Sequence, residues 1–442
     1  MRPDWLDNMP PSWNSVPFGS IFTQSKRKNS RLQRDFVLSV IKDRGVIPYT
    51  EKGNVGNKVS DDLSGYKLVD KGDFVLNSMN LYMGSVGVSD YDGVTSTAYI
   101  VCKPSENVYA GYYNYLIQFK GFQEYVGLLG KGIMEIREAV RWTALKSVFV
   151  PLPDLATQRA IADFLDRETA RIDLLIEKKQ RLVALLGEKL SSFVEKLLAF
   201  GPDDASEKVE TGNVWLPRVA SGVQLLPIKR VARLVNGYAF SSDDLGEEGV
   251  PVIRIGDVGP SIDLETAKKF TGVPSRSLDQ FLLRKGDILI AMTGATIGKS
   301  GVYDSDARAY LNQRVGILRA NRIDRRYLSN CLGTRIFIEQ MKLFAYGGAQ
   351  PNIGAGEIGS ILIPVPALEV QKVIAGLVEA QSQTAFSTSS AVQASIDRLK
   401  EYRSALITAA VTGQIDVSTY AKSATPDRRL DAIQEEMDKW QS

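Results

Sequence analysis

The apolar positions of this 442-residue chain fall into two long stretches of helical spacing, each introduced by the same short extended segment. In the first, Val150-Pro151-Leu152-Pro153 leads into Gln158, Ile161, Ala162 and Leu165. In the second, Ile363-Pro364-Val365-Pro366 leads into Gln371, Ile374, Ala375 and Val378, at a constant offset of 213 residues. The offset still holds at Leu186, Glu188 and Ser191, which correspond to Leu399, Glu401 and Ser404. An unbroken repeat of this length predicts two copies of one unit. Each copy reads as a strand end, a Pro-x-Pro corner and a long helix.

The first helix is predicted over residues 157–199. Phe164, Leu175, Leu186 and Leu197 recur every eleven residues, as do Ile161, Ile172, Val183 and Val194. An eleven-residue period is 3.67 residues per turn, which predicts a nearly straight helix. At 1.5 Å per residue it would extend roughly 65 Å. The second is predicted over 369–412 and stops at Gly413; its middle, 380–395, is rich in Ser, Thr, Gln and Ala, weaker helix formers as a group. Small residues there would let a partner helix approach closely. Neither helix covers its apolar stripe alone. They are therefore expected to pair through Ile161, Phe164, Ile172, Leu175, Leu186 and Leu197 of the first and Ile374, Leu377, Ile396, Leu399 and Leu406 of the second. Pseudo-twofold placement of the halves makes the pair antiparallel.

The segments before each helix also match. Residues 1–150 read as a mixed α/β (α+β) domain: a short apolar segment at 20–23, a basic loop at 26–34, and the turn Val69-Asp-Lys71-Gly72-Asp73 entering a buried strand. Gly84-Ser-Val-Gly87-Val and Ala98-Tyr-Ile-Val-Cys continue in β character, and 112–129 has helical spacing. Lys285-Gly286-Asp287 repeats Lys71-Gly72-Asp73 at an offset of 214, and Gly298-x-x-Gly301-Val302 repeats Gly84-x-x-Gly87-Val88. Residues 327–344 take the place of the helix at 112–129. The predicted architecture is domain–helix–domain–helix, with boundaries at 1–150, 151–201, a polar linker at 202–212, 213–362, 363–416 and a tail at 417–442. In that tail Leu430, Ile433, Met437 and Trp440 share one helical face, suited to packing on this chain or on a partner.

Composition narrows the chemistry. The chain has no histidine, which excludes Ser-His-Asp and Cys-His nucleophilic sites and every His-liganded metal site. Cys102 and Cys331 form no C-x-x-C pair. No apolar run approaches the roughly 18 residues that span a bilayer, and the start, Met1-Arg-Pro-Asp-Trp, carries no apolar signal core. The expectation is a cytoplasmic protein with no membrane partner. A net charge of +3 is too weak to attract nucleic acid by itself, so local clusters of Lys and Arg must do so.

Five stretches imitate catalytic motifs and fail. Gly294-Ala-Thr-Ile-Gly298-Lys299-Ser300 is one residue short of a P-loop, and the β-like Gly-Val-Tyr follows where a helix must open. Asn8-Met-Pro10-Pro11-Ser12-Trp13 lacks the adjacency and the stacking aromatic of the Asn-Pro-Pro-Tyr motif of amino-group methyltransferases. The pairs Asp61-Asp62, Asp203-Asp204 and Asp243-Asp244 stand in polar loops without a companion Glu-x-Lys on a strand. No catalytic residue and no metal ligand is assigned. The basic and amide-bearing loops are suited to phosphates and base edges. In the first half the candidates are Lys26, Arg27, Lys28, Asn29, Arg31, Arg34, Lys58, Asn77, Asn80, Arg137 and Arg141. In the second they are Tyr238, Arg254, Lys268, Lys269, Thr293, Lys299, Gln313, Arg314, Gln350 and Asn352.

The duplicated Pro-x-Pro…Gln…Ile segments (Pro151 to Ile161, Pro364 to Ile374), the two Lys-Gly-Asp turns and the ending Leu406-Ile-Thr-Ala-Ala-Val-Thr-Gly-Gln-Ile-Asp416 resemble those of the specificity subunit of type I restriction-modification enzymes, HsdS. The likeness spans almost the whole chain. One departure is that Thr157 and Val370 stand where the family often has Glu before its Gln. The resemblance implies two target recognition domains, each reading half of a gapped site in double-stranded DNA. The helices become spacers that set the gap and dock two methyltransferase subunits. S-adenosylmethionine, ATP and Mg would be bound by those subunits and by motor-nuclease restriction subunits, not by this chain. Two other functions fit the residues alone: a self-sufficient nucleic-acid enzyme using carboxylates and Lys, and a protein–protein adaptor with no DNA role.

Overall fold

The computed structural model describes residues 3–42, 44–53, 58–129, 139–203, 206–345 and 351–420. It divides into two compact units, Met1–Gln180 with Gln393–Ser442, and Arg181–Val392.

Unit 1 is built on an antiparallel sheet of order β2–β5–β3–β4, where β2 is Phe22–Gln24, β3 Phe74–Asn77, β4 Val86–Val88 and β5 Tyr99–Pro104. Phe74, Leu76, Ile100 and Cys102 on its strands pack against helices α1 (Ala110–Gln118) and α2 (Lys120–Leu129). A separate ribbon joins β1 (Asn14–Pro17) to β6 (Phe149–Leu152), pairing Val16 with Val150. Two short two-stranded ribbons, Leu38–Ile41 with Gly45–Pro48 and Lys67–Val69 with Gly93–Thr95, complete the unit.

Unit 2 repeats this order with β8–β11–β9–β10, where β8 is Ala232–Asn236, β9 Ile288–Ala291, β10 Ser300–Val302 and β11 Val315–Ala320. The outer ribbon is again present, as β7 (Gln224–Pro227) with β12 (Leu362–Val365). The units differ in what is inserted: unit 2 carries a second four-stranded sheet made from Leu245–Gly246, Lys269–Phe270, Val250–Ile253 and Tyr310–Leu311.

The matching motifs have matching structural causes. In each Lys-Gly-Asp turn the glycine has positive φ, +89° at Gly72 and +93° at Gly286. The buried carboxylate that follows accepts a backbone N–H from Asp70 or Arg284, each 2.9 Å away. A side chain at Gly301 would meet the Gly259 carbonyl at 1.9 Å, and one at Gly87 the Val46 nitrogen at 2.7 Å. These glycines admit a crossing backbone. Both motifs are therefore turn and packing devices.

The Pro-x-Pro corner is tied down the same way in both units. Tyr113 Oη donates to the Pro151 carbonyl and Tyr327 Oη to that of Pro364, each at 2.9 Å. Gln158, fully buried, donates to the Pro153 carbonyl at 2.8 Å and the Asn107 carbonyl at 3.0 Å, and accepts from Tyr109 N–H at 2.8 Å. Gln371 donates to the Pro366 carbonyl and accepts from Asp324 N–H, both at 2.8 Å. Burial holds the two tyrosine hydroxyls well above their ordinary pKa, which keeps them donors.

From these corners run α3 (Leu155–Phe200) and α6 (Leu368–Val411). Asp154 caps α3, accepting Thr157 N–H at 2.9 Å and its hydroxyl at 2.7 Å. The Thr at the departure from the family pattern thus completes a cap. In unit 1 the early part of α3 (Ile161, Phe164, Ile172, Leu175) shares a core with the late part of α6 (Leu399, Leu406, Ile407). Arg403 meets Asp173 there at 3.0 Å. In unit 2 Leu197 and Leu198 share a core with Ile374 and Val378. The pairing is antiparallel.

The structure corrects several expectations. The helix predicted at 112–129 is two helices broken at Phe119, whose backbone is extended. The one at 327–344 is likewise two, α4 (Arg325–Leu332) and α5 (Arg335–Phe344), because Thr334 caps α5 by accepting Phe337 N–H. Ile396 is buried, but Leu186 is half-buried and Leu377 is 40% exposed. The inward arc of α6 centres on Gln371, Ile374, Ala375 and Val378, and Leu377 lies about 100° round from it at 3.6 residues per turn. The small-residue middle of α6 does not bury itself: none of residues 379–392, nor of 181–196 on α3, is fully buried. Leu430, Ile433, Met437 and Trp440 lie outside the described residues.

Gln371→Ala leaves a buried N–H and a buried carbonyl unpaired, and should destabilise the protein by about 2 kcal/mol. The exposed Gln393→Ala should change stability by less than about 0.5 kcal/mol. Equal denaturation midpoints for the two variants would remove the amide clamp from its structural role.

Candidate nucleic-acid interface

In unit 2 several of the sequence-predicted polar residues gather where the strands of the main sheet end. In unit 2, Asn236 at the end of β8 pairs with Gly316 near the start of β11, and Ala291 at the end of β9 pairs with Val315. The chain beyond these positions carries Tyr238, Thr293, Gln313 and Arg314. Tyr238 N–H donates to the Leu311 carbonyl at 2.8 Å, Met292 N–H to that of Arg314 at 3.1 Å, and Ile353 N–H to that of Met292 at 3.0 Å. Thr293 and Asn352 form an isolated antiparallel bridge. Backbone bonds therefore fix the loops while Gln313, Arg314 and Asn352 remain exposed. Tyr238 is 42% exposed, its ring backed by Phe240 at 4.9 Å and Phe281 at 5.3 Å.

Two other candidates of unit 2 adjoin this group through the backbone: Arg254 follows Ile253, whose carbonyl accepts Asn312 N–H at 3.0 Å, and the Lys299 carbonyl accepts Ala291 N–H at 2.8 Å. Arg254 is half-buried, with Nε 3.6 Å from Asp257. Lys268 is paired with Glu247, and Lys269 is half-buried in the inserted sheet. Lys299 is exposed, and the strand β10 that opens directly after it removes any P-loop geometry. Gln350 lies outside the described residues.

Unit 1 separates the basic loop into organisers and exposed cations. Asn29 is fully buried; its side chain donates to the carbonyls of Arg34 at 2.7 Å and Leu63 at 3.3 Å and accepts from Arg34 N–H at 3.1 Å. It shapes the loop and cannot reach a base edge. Arg27 and Arg34 both bond to Asp70, Arg34 at 2.9 Å, and Lys103 joins them at 3.0 Å. Burial alone would raise the Asp70 carboxyl, but hydrogen bonds from Lys103, Arg34 and Arg27 outweigh it and hold the group at about 2. Lys26, Lys28 and Arg31 remain exposed, as does Lys58. Asn77 is buried and accepts Met79 N–H at 3.2 Å, so it is a turn residue, while Asn80 is exposed. Arg141 is exposed before the short helix Trp142–Leu145, and Arg137 lies outside the described residues.

Asp70 carries no local signal of its role, because its partners Arg27 and Arg34 stand 43 and 36 residues away. Thr97 and Ala98 lie outside the sequence-predicted set, although they precede β5 as Gln313 and Arg314 precede β11. Aligning Cys102 with Leu318 would have found them, since both are third from last in the central strand. Among the described residues no group of three Cys, Asp or Glu side chains is placed to hold a metal ion, and no helix is long and apolar enough to cross a membrane.

Comparison with known proteins matches the type I restriction modification DNA specificity domain twice, over residues 10–184 and 221–393. The MjaVIII type I restriction enzyme specificity subunit of Methanocaldococcus jannaschii is 25% identical over 388 residues, covering 83% of this chain and 85% of its own. The EcoBI specificity subunit of Escherichia coli is 23% identical over 290 residues, covering 63% of this chain and 61% of its own. Among solved structures, a chain from work on complex assembly and conformational transition of the type I R-M system superposes with a TM-score of 0.69 at 16% identity, covering 92% of this chain and 99% of that one.

The depressed Asp70 carboxyl gives the basic loop a definite acid limit. Its stabilisation is complete above the ordinary carboxylate pKa of about 4 and is lost as the pH falls through about 2. Asp70→Asn should lower stability at pH 7, and the gap from the native chain should close between about pH 4 and 2. Denaturant unfolding at several pH values measures this, and a gap constant with pH would show that the carboxylate charge contributes nothing.

Proposed function

The chain belongs to the type I restriction modification DNA specificity family, and from that membership we propose that it is the DNA sequence-specificity subunit of a type I restriction-modification complex. The observation that carries this is the duplication of one sheet, order for order, in two units that each match the family domain. Each unit presents preformed loops at the same end of its sheet, suited to one half of a two-part target. Exposed Lys and Arg supply phosphate attraction, while exposed amides, Arg and Tyr supply base and sugar contacts. The helices α3 and α6, each anchored at a clamped corner, serve as the ruler between half-sites.

Catalysis is assigned to partners. Methyltransferase subunits would bind S-adenosylmethionine, restriction subunits would use ATP and Mg, and this chain would bind none of these. The exposed apolar side chains of the helix middles, Leu185 at 49% and Phe386 at 75%, offer contacts for such partners. A cytoplasmic location accords with this role.

Inserting four residues in the middle of both helices adds about 6 Å, close to two base pairs of DNA. The gap of the methylated motif should widen while both half-sites keep their sequence. Genome-wide mapping of methylated adenines reads this directly, and an unaltered gap would refute the ruler. Replacing Lys26, Lys28 and Arg31 by Ala should weaken DNA binding by the assembled complex and reduce its salt slope by about one per lost phosphate contact. An unchanged slope would take the loop off the DNA.

A further inference from the structure

The two units carry different chemistry on equivalent positions of one framework. Strand pairing sets the equivalence: Phe74 opposes Cys102 in unit 1 as Ile288 opposes Leu318 in unit 2. By this register Thr97 and Ala98 stand where Gln313 and Arg314 stand. Met79 takes the place of Thr293 at the end of the neighbouring strand. The flanking bonds repeat as well, since Val140 N–H donates to the Ser78 carbonyl at 3.0 Å as Ile353 does to Met292. All six side chains lie at the surface, Thr293 half-buried and the rest exposed. The framework of this turn is shared by the two units, which differ here in the side chains it displays.

We infer that this strand-end turn is the base-reading head of each unit, and that Gln313 and Arg314 read an adenine and a guanine in one half-site. A Gln amide matches the N6/N7 edge of adenine and a guanidinium the O6/N7 edge of guanine, whereas Thr and Ala offer a methyl group to thymine. Unit 1 therefore recognises its half-site at this turn by apolar contact with Thr97, Ala98 and Met79 and not by bidentate hydrogen bonds. Arg314 is suited to the task because its own backbone is pinned by Met292 while its side chain stays in solvent. The inference rests on the DNA-specificity function proposed above.

The test uses the full chain assembled with its methyltransferase partner. Mapping methylated adenines first defines the motif, and competition binding with duplexes altered at each base pair then measures discrimination. Arg314→Ala should lose about 10- to 100-fold discrimination at one guanine, and Gln313→Ala the same at one adenine of the same half-site, with the other half-site untouched. Full discrimination in both variants overturns the inference while leaving the specificity function intact. A native complex that yields no two-part motif overturns the function itself and the inference with it. If an alanine variant does not assemble, the reciprocal Thr97→Gln/Ala98→Arg variant decides: new purine preference in the other half-site supports the reading head, and an unchanged motif overturns it.

Discussion

In each unit one buried carboxamide holds the corner from which the long helix leaves its sheet. Gln158 and Gln371 each take the carbonyl of the second proline in a Pro-x-Pro corner and, with their oxygen, the N–H that begins the adjacent helical pair. Proline suits the corner because it has no N–H to satisfy, leaving only carbonyls, which Tyr113, Tyr327 and the glutamines supply with donors. In the dry interior an unmatched amide is costly, so the corner has one acceptable geometry. The direction in which α3 or α6 leaves its sheet follows from that geometry. A rigid exit angle is what a helix needs if it is to act as a ruler.

Charge is divided between holding the loops and meeting a ligand. Asp70 gathers Arg27, Arg34 and Lys103, and Asp287 is held bidentately by Arg319 at 2.9 and 2.8 Å. Lys103 and Arg319 occupy the same place in the central strand, so each unit solves the same problem with a different aspartate. These ion pairs consume cations that composition alone would count as available. What they leave exposed is presented on loops whose backbones are already bonded, which lowers the ordering cost of binding. At the strand-end turn the two units then differ in a few side chains, which suits the proposed reading of two different half-sites.

The chain's own order of residues determined the duplication, both Pro-x-Pro corners, the positions of the long helices to within two residues at each end, and the absence of His-based chemistry. These are local or periodic properties: helix spacing, a fixed offset and residue type survive without any knowledge of contacts. Leu377 shows the limit of periodicity, since a stripe of helical spacing does not say which edge of the arc faces inward. Asn29, Arg27 and Arg34 show a second limit. Their distant partners, Leu63 and Asp70, are brought near only by folding. The gathering of Tyr238, Thr293, Arg314 and Asn352, spread over more than a hundred residues, was likewise decided by strand register alone. Tertiary structure alone sorts polar residues into those that satisfy the fold and those left to recognise something else, because a hydrogen bond across the sheet depends on distance in space and carries no mark in sequence.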